Sequence, residues 1–207
     1  MVQYKHKCMK RLSIIIIVVL FLAACKNRGY YKEEVKAIQD IANDYLQKNL
    51  LDEVVTIFDG EVIKFTPFID SLSSRVYFSD ALLPISQIKK DDEWMFNGNY
   101  SGTPDSAIFY GIINSKRFFE LKYREFDKSK IELIKPFTQI AKSQEKKETD
   151  GVNTTLQFSR VCFDDKRENG VMVIEYLRGY GSDSMYGYNG ALLIKKQNGK
   201  WTYIHRK

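Results

Sequence analysis

Histidine, cysteine and proline are all scarce in this chain. Its 207 residues hold two histidines, three cysteines and four prolines. A zinc site takes three or four ligands at local spacing, and the sequence contains neither H-E-x-x-H nor C-x-x-C. Zinc on a single chain is therefore not expected, and no other metal or cofactor is implied, since EF-hand spacing is also missing. The G-x-S-x-G elbow of the common serine hydrolases is absent. So is the G-x-x-x-x-G-K loop that cradles phosphates. An apolar run long enough to span a bilayer is lacking as well. The longest one, the core over residues 14–24, is closed by Lys26 and Arg28, whereas a spanning helix needs about 20 apolar residues.

What stands at the N-terminus instead is a short apolar core behind Lys10 and Arg11, ending in Leu22-Ala23-Ala24-Cys25. A cationic start, an apolar stretch of about 7–15 residues and small residues at the cut make a secretory signal peptide. The L-A-A-C ending resembles the bacterial lipobox. That resemblance implies that the Cys25 thiol is acylated and that Cys25 becomes the new N-terminus. Met9 opens a complete signal by itself, so the true start is either Met1 or Met9. Acyl chains hold a protein to a bilayer by about 0.8 kcal/mol per buried CH₂, and two or more signals make attachment stable. The expected arrangement is a signal peptide over residues 1–24, a lipidated tether over 25–30 and a single domain over 31–207. The expected site is the cell envelope, at the outer membrane facing the periplasm, because Lys26 is not an inner-membrane retention Asp and no acidic run follows Cys25.

Removing the signal leaves 183 residues, enough for one domain with a real core. The formal charge of +6 then shrinks. Residues 1–24 contain four of the 32 basic residues and no acid, leaving 28 bases against 26 acids. No basic face stands out, so nucleic acid is not an expected partner. With Cys25 taken by lipid, Cys162 has no disulfide partner, and it reads as a small buried hydrophobe.

The periodicities give an α+β domain. Val35, Ile38, Ile41, Ala42, Tyr45 and Leu46 recur at three- and four-residue spacing and predict an amphipathic helix over residues 31–50, packed on a sheet. Residues 54–58 and 61–66 are β-rich and flank Asp59-Gly60, a hairpin signal. Residues 75–79 read as a short strand, and 97–105 as a loop. Residues 107–113 fit either a strand or a helix. Residues 137–142 suggest a short helix and 142–154 an exposed loop. A strand at 156–163, a polar turn at 164–170 and a central strand at 171–177 follow. The chain closes on strands flanking Asn198-Gly199. That turn places Gln197 opposite Lys200, Ile194 opposite Tyr203 and Leu192 opposite His205. The expected architecture is an N-terminal helix on a mostly antiparallel sheet with a C-terminal β-meander.

The run F-S-R-V-C-F-D-D-K…V-M-V-I-E-Y…G-A-L-L-I-K-K-Q-N-G-K-W-T-Y-I, in the last quarter of the chain, resembles a group of uncharacterised bacterial lipoproteins. Many of that group carry a Cys-rich loop between the middle strands. Here residues 179–188 hold that place without a cysteine, so any thiol role of the loop is absent. The resemblance implies a fold and transfers no site.

Three features compete as functional candidates. A Gly-rich stretch at 179–190 reads as a long loop displaying Tyr180, Tyr186 and Tyr188, side chains that give large amphipathic contact area at small entropic cost. The alternative is a connection whose tyrosines pack back on the sheet. Asp91-Asp92-Glu93 before Trp94 forms an acidic run that fits either a sugar site with paired carboxylates or a solvated turn. Cys162 and His205 form a nucleophile–base pair only if their strands bring them together. The leading expectation is a non-catalytic envelope lipoprotein that binds a protein or a glycan. The alternatives are a cell-wall hydrolase using the acidic run and an immunity-type lipoprotein that blocks a secreted toxin.

Overall fold

Asn198 and Gly199 set the register of the C-terminal strands. Both take positive φ, 51° and 78°, which a two-residue turn needs if its twist is to match its strands. Lys200 lies opposite Gln197 and Tyr203 opposite Ile194, as the turn requires. The computed structural model describes residues 29–51, 54–58, 61–65, 75–98, 100–141, 152–180 and 184–204. His205 lies outside them, as do the signal peptide, Cys25, the Asp59-Gly60 turn and residues 142–151. The chain divides into two compact units, Met1–Lys36 and Ala37–Lys207. The described part of the first unit, residues 29–36, is helical, so helix replaces the last two residues of the expected tether.

Helix α1 covers residues 29–46 and passes into a π-helical turn at Gln47–Leu51. Strands β1 (Val54–Phe58) and β2 (Glu61–Phe65) pair antiparallel with Phe58 opposite Glu61, forming a two-stranded sheet by themselves. Strand β3 (Arg75–Leu83) is longer than the sequence suggested. Next come α2 (Ile85–Asp91), a 3₁₀ turn (Glu93–Met95), α3 (Ser106–Ile113) and α4 (Lys116–Glu120). Strands β4 (Arg124–Glu125) and β5 (Thr138–Ile140) both pair with β3. The long strands are β6 (Val152–Ser159), β8 (Asn169–Tyr180) and β9 (Ser184–Gln197). The short β7 (Cys162–Phe163) joins β8, and β10 (Lys200–Tyr203) closes the sheet. The eight strands run β10-β9-β8-β6-β3-β4, with β5 and β7 off that path. The sheet is mostly antiparallel; β3–β6 and β3–β5 are parallel. The fold is α+β.

Register sorts the two faces. Even-numbered residues of β8 share a face with Tyr188 and Ile194 of β9 and Tyr203 of β10. Helix α1 lies there. Tyr45 has its ring 5.6 Å from Tyr176, 5.9 Å from Tyr203 and 6.4 Å from Tyr188. Of the stripe that helical spacing predicted, Ile38, Ile41, Ala42, Tyr45 and Leu46 are buried, whereas Val35 is half-buried and Ala37 is buried beside them. Two polar side chains of α1 fix what surrounds it. Asn43 donates to the Glu132 carbonyl and accepts from the Ile134 N–H, both at 2.9 Å. Asp40 accepts the Trp201 N–H of β10 at 2.9 Å.

The odd-numbered face carries the other helices. Cys162, opposite Val171, lies 3.8 Å from the Ser115 hydroxyl that caps α4. Lys195 pairs with Asp105 at the start of α3. Tyr100, from the 97–105 loop, is buried; its hydroxyl accepts the Leu193 N–H at 2.7 Å and donates to the Ile204 carbonyl at 3.4 Å. Residues 107–113 resolve to helix because Phe109, Ile112 and Ile113, at i, i+3 and i+4, are the ones buried.

Two expectations need correction. Residues 138–140 are strand β5, not part of a helix: parallel pairing with Arg75, Val76 and Tyr77 supplies a ladder that local propensity does not announce. The 179–190 stretch is no long loop. Strand β8 runs to Tyr180 and β9 starts at Ser184. The glycines do not break these strands. At Gly187 a Cβ would stand 2.6 Å from a Leu177 methyl and 2.7 Å from the Tyr176 carbonyl oxygen, so glycine serves close approach there.

Candidate functional site

A strand that pairs on both edges sends alternate side chains to one face, so side chains opposite each other on neighbouring strands form a row. Gln157 of β6 lies opposite Glu175 of β8, and Glu175 lies opposite Asn189 of β9. This amide–carboxylate–amide row sits on the odd-numbered face. It floors a cavity of about 220 Å³, the space of several waters at about 30 Å³ each. Leu83, Ile88, Met95 and Val173 give the cavity apolar walls, and Asp91 and Asp92 bring two more carboxylates. The three residues of the row are half-buried. Among the described residues, none of their side chains makes a hydrogen bond or ion pair.

The opposite wall is built by local chemistry. Pro84 ends β3, and its carbonyl accepts from the Gln87 and Ile88 N–H groups to start α2. Ile85 is buried and anchors the helix. Asp91 closes it, its carboxylate held by the Gln87 side-chain amide at 2.9 Å to both oxygens. Asp92 is the C-cap. Its Oδ1 accepts the Trp94 indole N–H at 3.3 Å, while the Trp94 ring stays 59 % exposed. Ser159 also lines the cavity but is engaged: its hydroxyl accepts the Val173 N–H and donates to the Arg160 carbonyl, both at 2.8 Å. Of the acidic run, Asp91 and Asp92 thus face the cavity, whereas Glu93 is not part of its lining.

A wider groove, of about 600 Å³, follows α3 and α4. Its polar groups are already committed. Arg117 donates to the Phe163 and Asp164 carbonyls and pairs with Asp165, and Lys116 pairs with Glu120. The cavity at α2 differs in keeping its polar row unengaged.

Tyr180 pairs with Ser184, Tyr186 with Arg178 and Tyr188 with Tyr176 along the β8–β9 ladder. Tyr188 is 39 % exposed and stacks on Tyr45. Cys162 is buried, and burial pushes its thiol up to about 11 against the pull of the Ser115 hydroxyl and the Arg117 charge. A thiol held protonated is no nucleophile at neutral pH. Among the described residues no group of His, Cys, Asp or Glu is placed to hold a metal ion, and no helix is long and apolar enough to cross a membrane.

Glu175, Gln157 and Asn189 were not singled out by sequence. Each sits inside a strand, and only the register reveals that they align. Known proteins add nothing to this geometry: no family model, no curated protein and no solved structure matches the chain.

Proposed function

We propose that this is a lipid-anchored protein of the bacterial cell envelope, held through Cys25 at the outer membrane, whose folded domain binds glycan without chemistry on it. The anchor rests on the L-A-A-C ending. The binding reading rests on one observation, the unengaged row Gln157–Glu175–Asn189 in a cavity whose Asp92 accepts from the indole of the exposed Trp94. Sugar rings carry adjacent hydroxyls that each donate and accept, and amides and carboxylates match them in pairs. Their C–H faces are apolar and stack on an aromatic ring such as the Trp94 indole. Binding sites of this kind combine apolar walls with a few convergent polar groups.

Fluorescence of the full chain in detergent micelles tests it. Trp201 is fully buried and Trp94 is exposed, so titration with glycan fragments of the cell wall should shift the emission of Trp94 alone, and Trp94→Phe should remove the shift. No emission change and no heat on titration with any envelope glycan would sink the reading.

A second reading is favoured by Asp91, Asp92 and Glu175 lining one cavity, the convergence that glycoside hydrolysis uses. Release of reducing ends from cell-wall glycan by the wild type, lost in Asp92→Asn and Glu175→Gln, would establish it over simple binding.

A further inference from the structure

The cavity has acceptors to spare and no cation of its own. No lysine or arginine lines it, and none of its three carboxylates meets a basic side chain among the described residues. Asp91 is satisfied by the Gln87 amide and Asp92 is bonded to the Trp94 indole. Glu175 has neither kind of support. It is half-buried in the floor of the cavity, with Asp91 and Asp92 in the same lining.

From this we infer that the ligand brings the positive charge: the cavity takes a sugar ring with a free ammonium group, and Glu175 receives that group. The inference rests on the glycan reading and narrows it. An ammonium is three donors with no acceptor. The row offers a matching set, the Glu175 carboxylate at its centre and the side-chain carbonyls of Gln157 and Asn189 on either side, one strand spacing of about 4.8 Å away. The apolar walls from Leu83, Ile88, Met95 and Val173 then cover the ring carbons, and the amide N–H groups remain for the hydroxyls next to the amine. A metal ion is the other cation that a carboxylate cavity attracts, but the acids here are not grouped closely enough to ligate one. An N-acylated sugar carries no charge at that position and leaves Glu175 uncompensated.

Three probes decide it, titrated calorimetrically into the full chain in micelles at neutral pH: glucosamine, glucose and N-acetylglucosamine. Glucosamine should bind about tenfold more tightly than the two neutral sugars, the size of one charge-assisted hydrogen bond. The isosteric Glu175→Gln should erase that preference while leaving glucose binding in place. Gln157→Glu, which adds a second negative charge to the row, should enlarge it. Equal affinity for all three sugars overturns the ammonium assignment and leaves the glycan reading standing. A preference that survives Glu175→Gln also overturns it. No binding of any sugar, with the circular dichroism of the protein intact, overturns both readings.

Discussion

Ser159 replaces a rung that the sheet backbone does not supply. Strand β6 ends there, and the hydroxyl takes the Val173 N–H of β8. Both groups are buried. Ser159→Ala should leave that N–H without an acceptor and cost about 1–3 kcal/mol, read as a lower urea midpoint; an unchanged midpoint would mean that the main chain closes the gap. Cys162 makes a prediction about pH. Its ordinary value is 9.0, and burial raises it to about 11 in the folded protein. The native state therefore holds the proton more tightly than the unfolded chain. That stabilisation is complete below pH 9 and is lost as the pH rises towards 11. Denaturant curves across this range should show stability falling, and Cys162→Ala should flatten the fall. If the slope persists in the variant, other groups carry it.

At the scale of elements, the turn at Asn198-Gly199 is a local device with a measurable cost. Gly199 has φ of 78° with nothing within 4 Å of a Cβ placed on it. Gly199→Val would thus meet no steric clash with neighbours, only backbone strain, which we expect to lower stability by about 1–3 kcal/mol; a melting temperature equal to wild type would remove strain from the account. Such local devices are what the sequence displays. Asn198-Gly199, the two strands about Asp59-Gly60 and the helical spacing from Ile38 to Leu46 are all readable within a dozen residues. What depends on distant pairing is not. β5 is a strand because β3 lies beside it, and β3 pairs in parallel with β6 across some seventy intervening residues. Glycines at 179–190 look like breakers until Leu177 and the Tyr176 carbonyl are found pressed against Gly187. The cavity followed the same rule. Asp91 and Asp92 stand out as neighbours in the chain, whereas Gln157, Glu175 and Asn189 become neighbours only through the ladder.

For the whole molecule, the sheet separates two environments. One face is covered by α1 and the ring cluster of Tyr45, Tyr176, Tyr188 and Tyr203. The other is covered by α2, α3 and the Tyr100 loop and is left open at the cavity. Nothing in this division depends on the proposed acylation of Cys25, so attachment and binding should separate cleanly. Cys25→Ala should move the protein out of the membrane fraction while its melting temperature and sugar affinities stay unchanged. Continued sedimentation with membranes would remove the acyl anchor from the reading.

The bond from the Trp201 N–H to Asp40 has a consequence for how copies of this chain meet. Strand β10 is the last in the sheet, and an outward N–H on such a strand is an invitation to another chain. Asp40 answers that invitation from within the same molecule. It also sets a negative charge where an incoming strand would have to place its carbonyl. An Asp40→Ala chain should keep its sheet but associate with its own copies more readily than the wild type, and light scattering should show the difference.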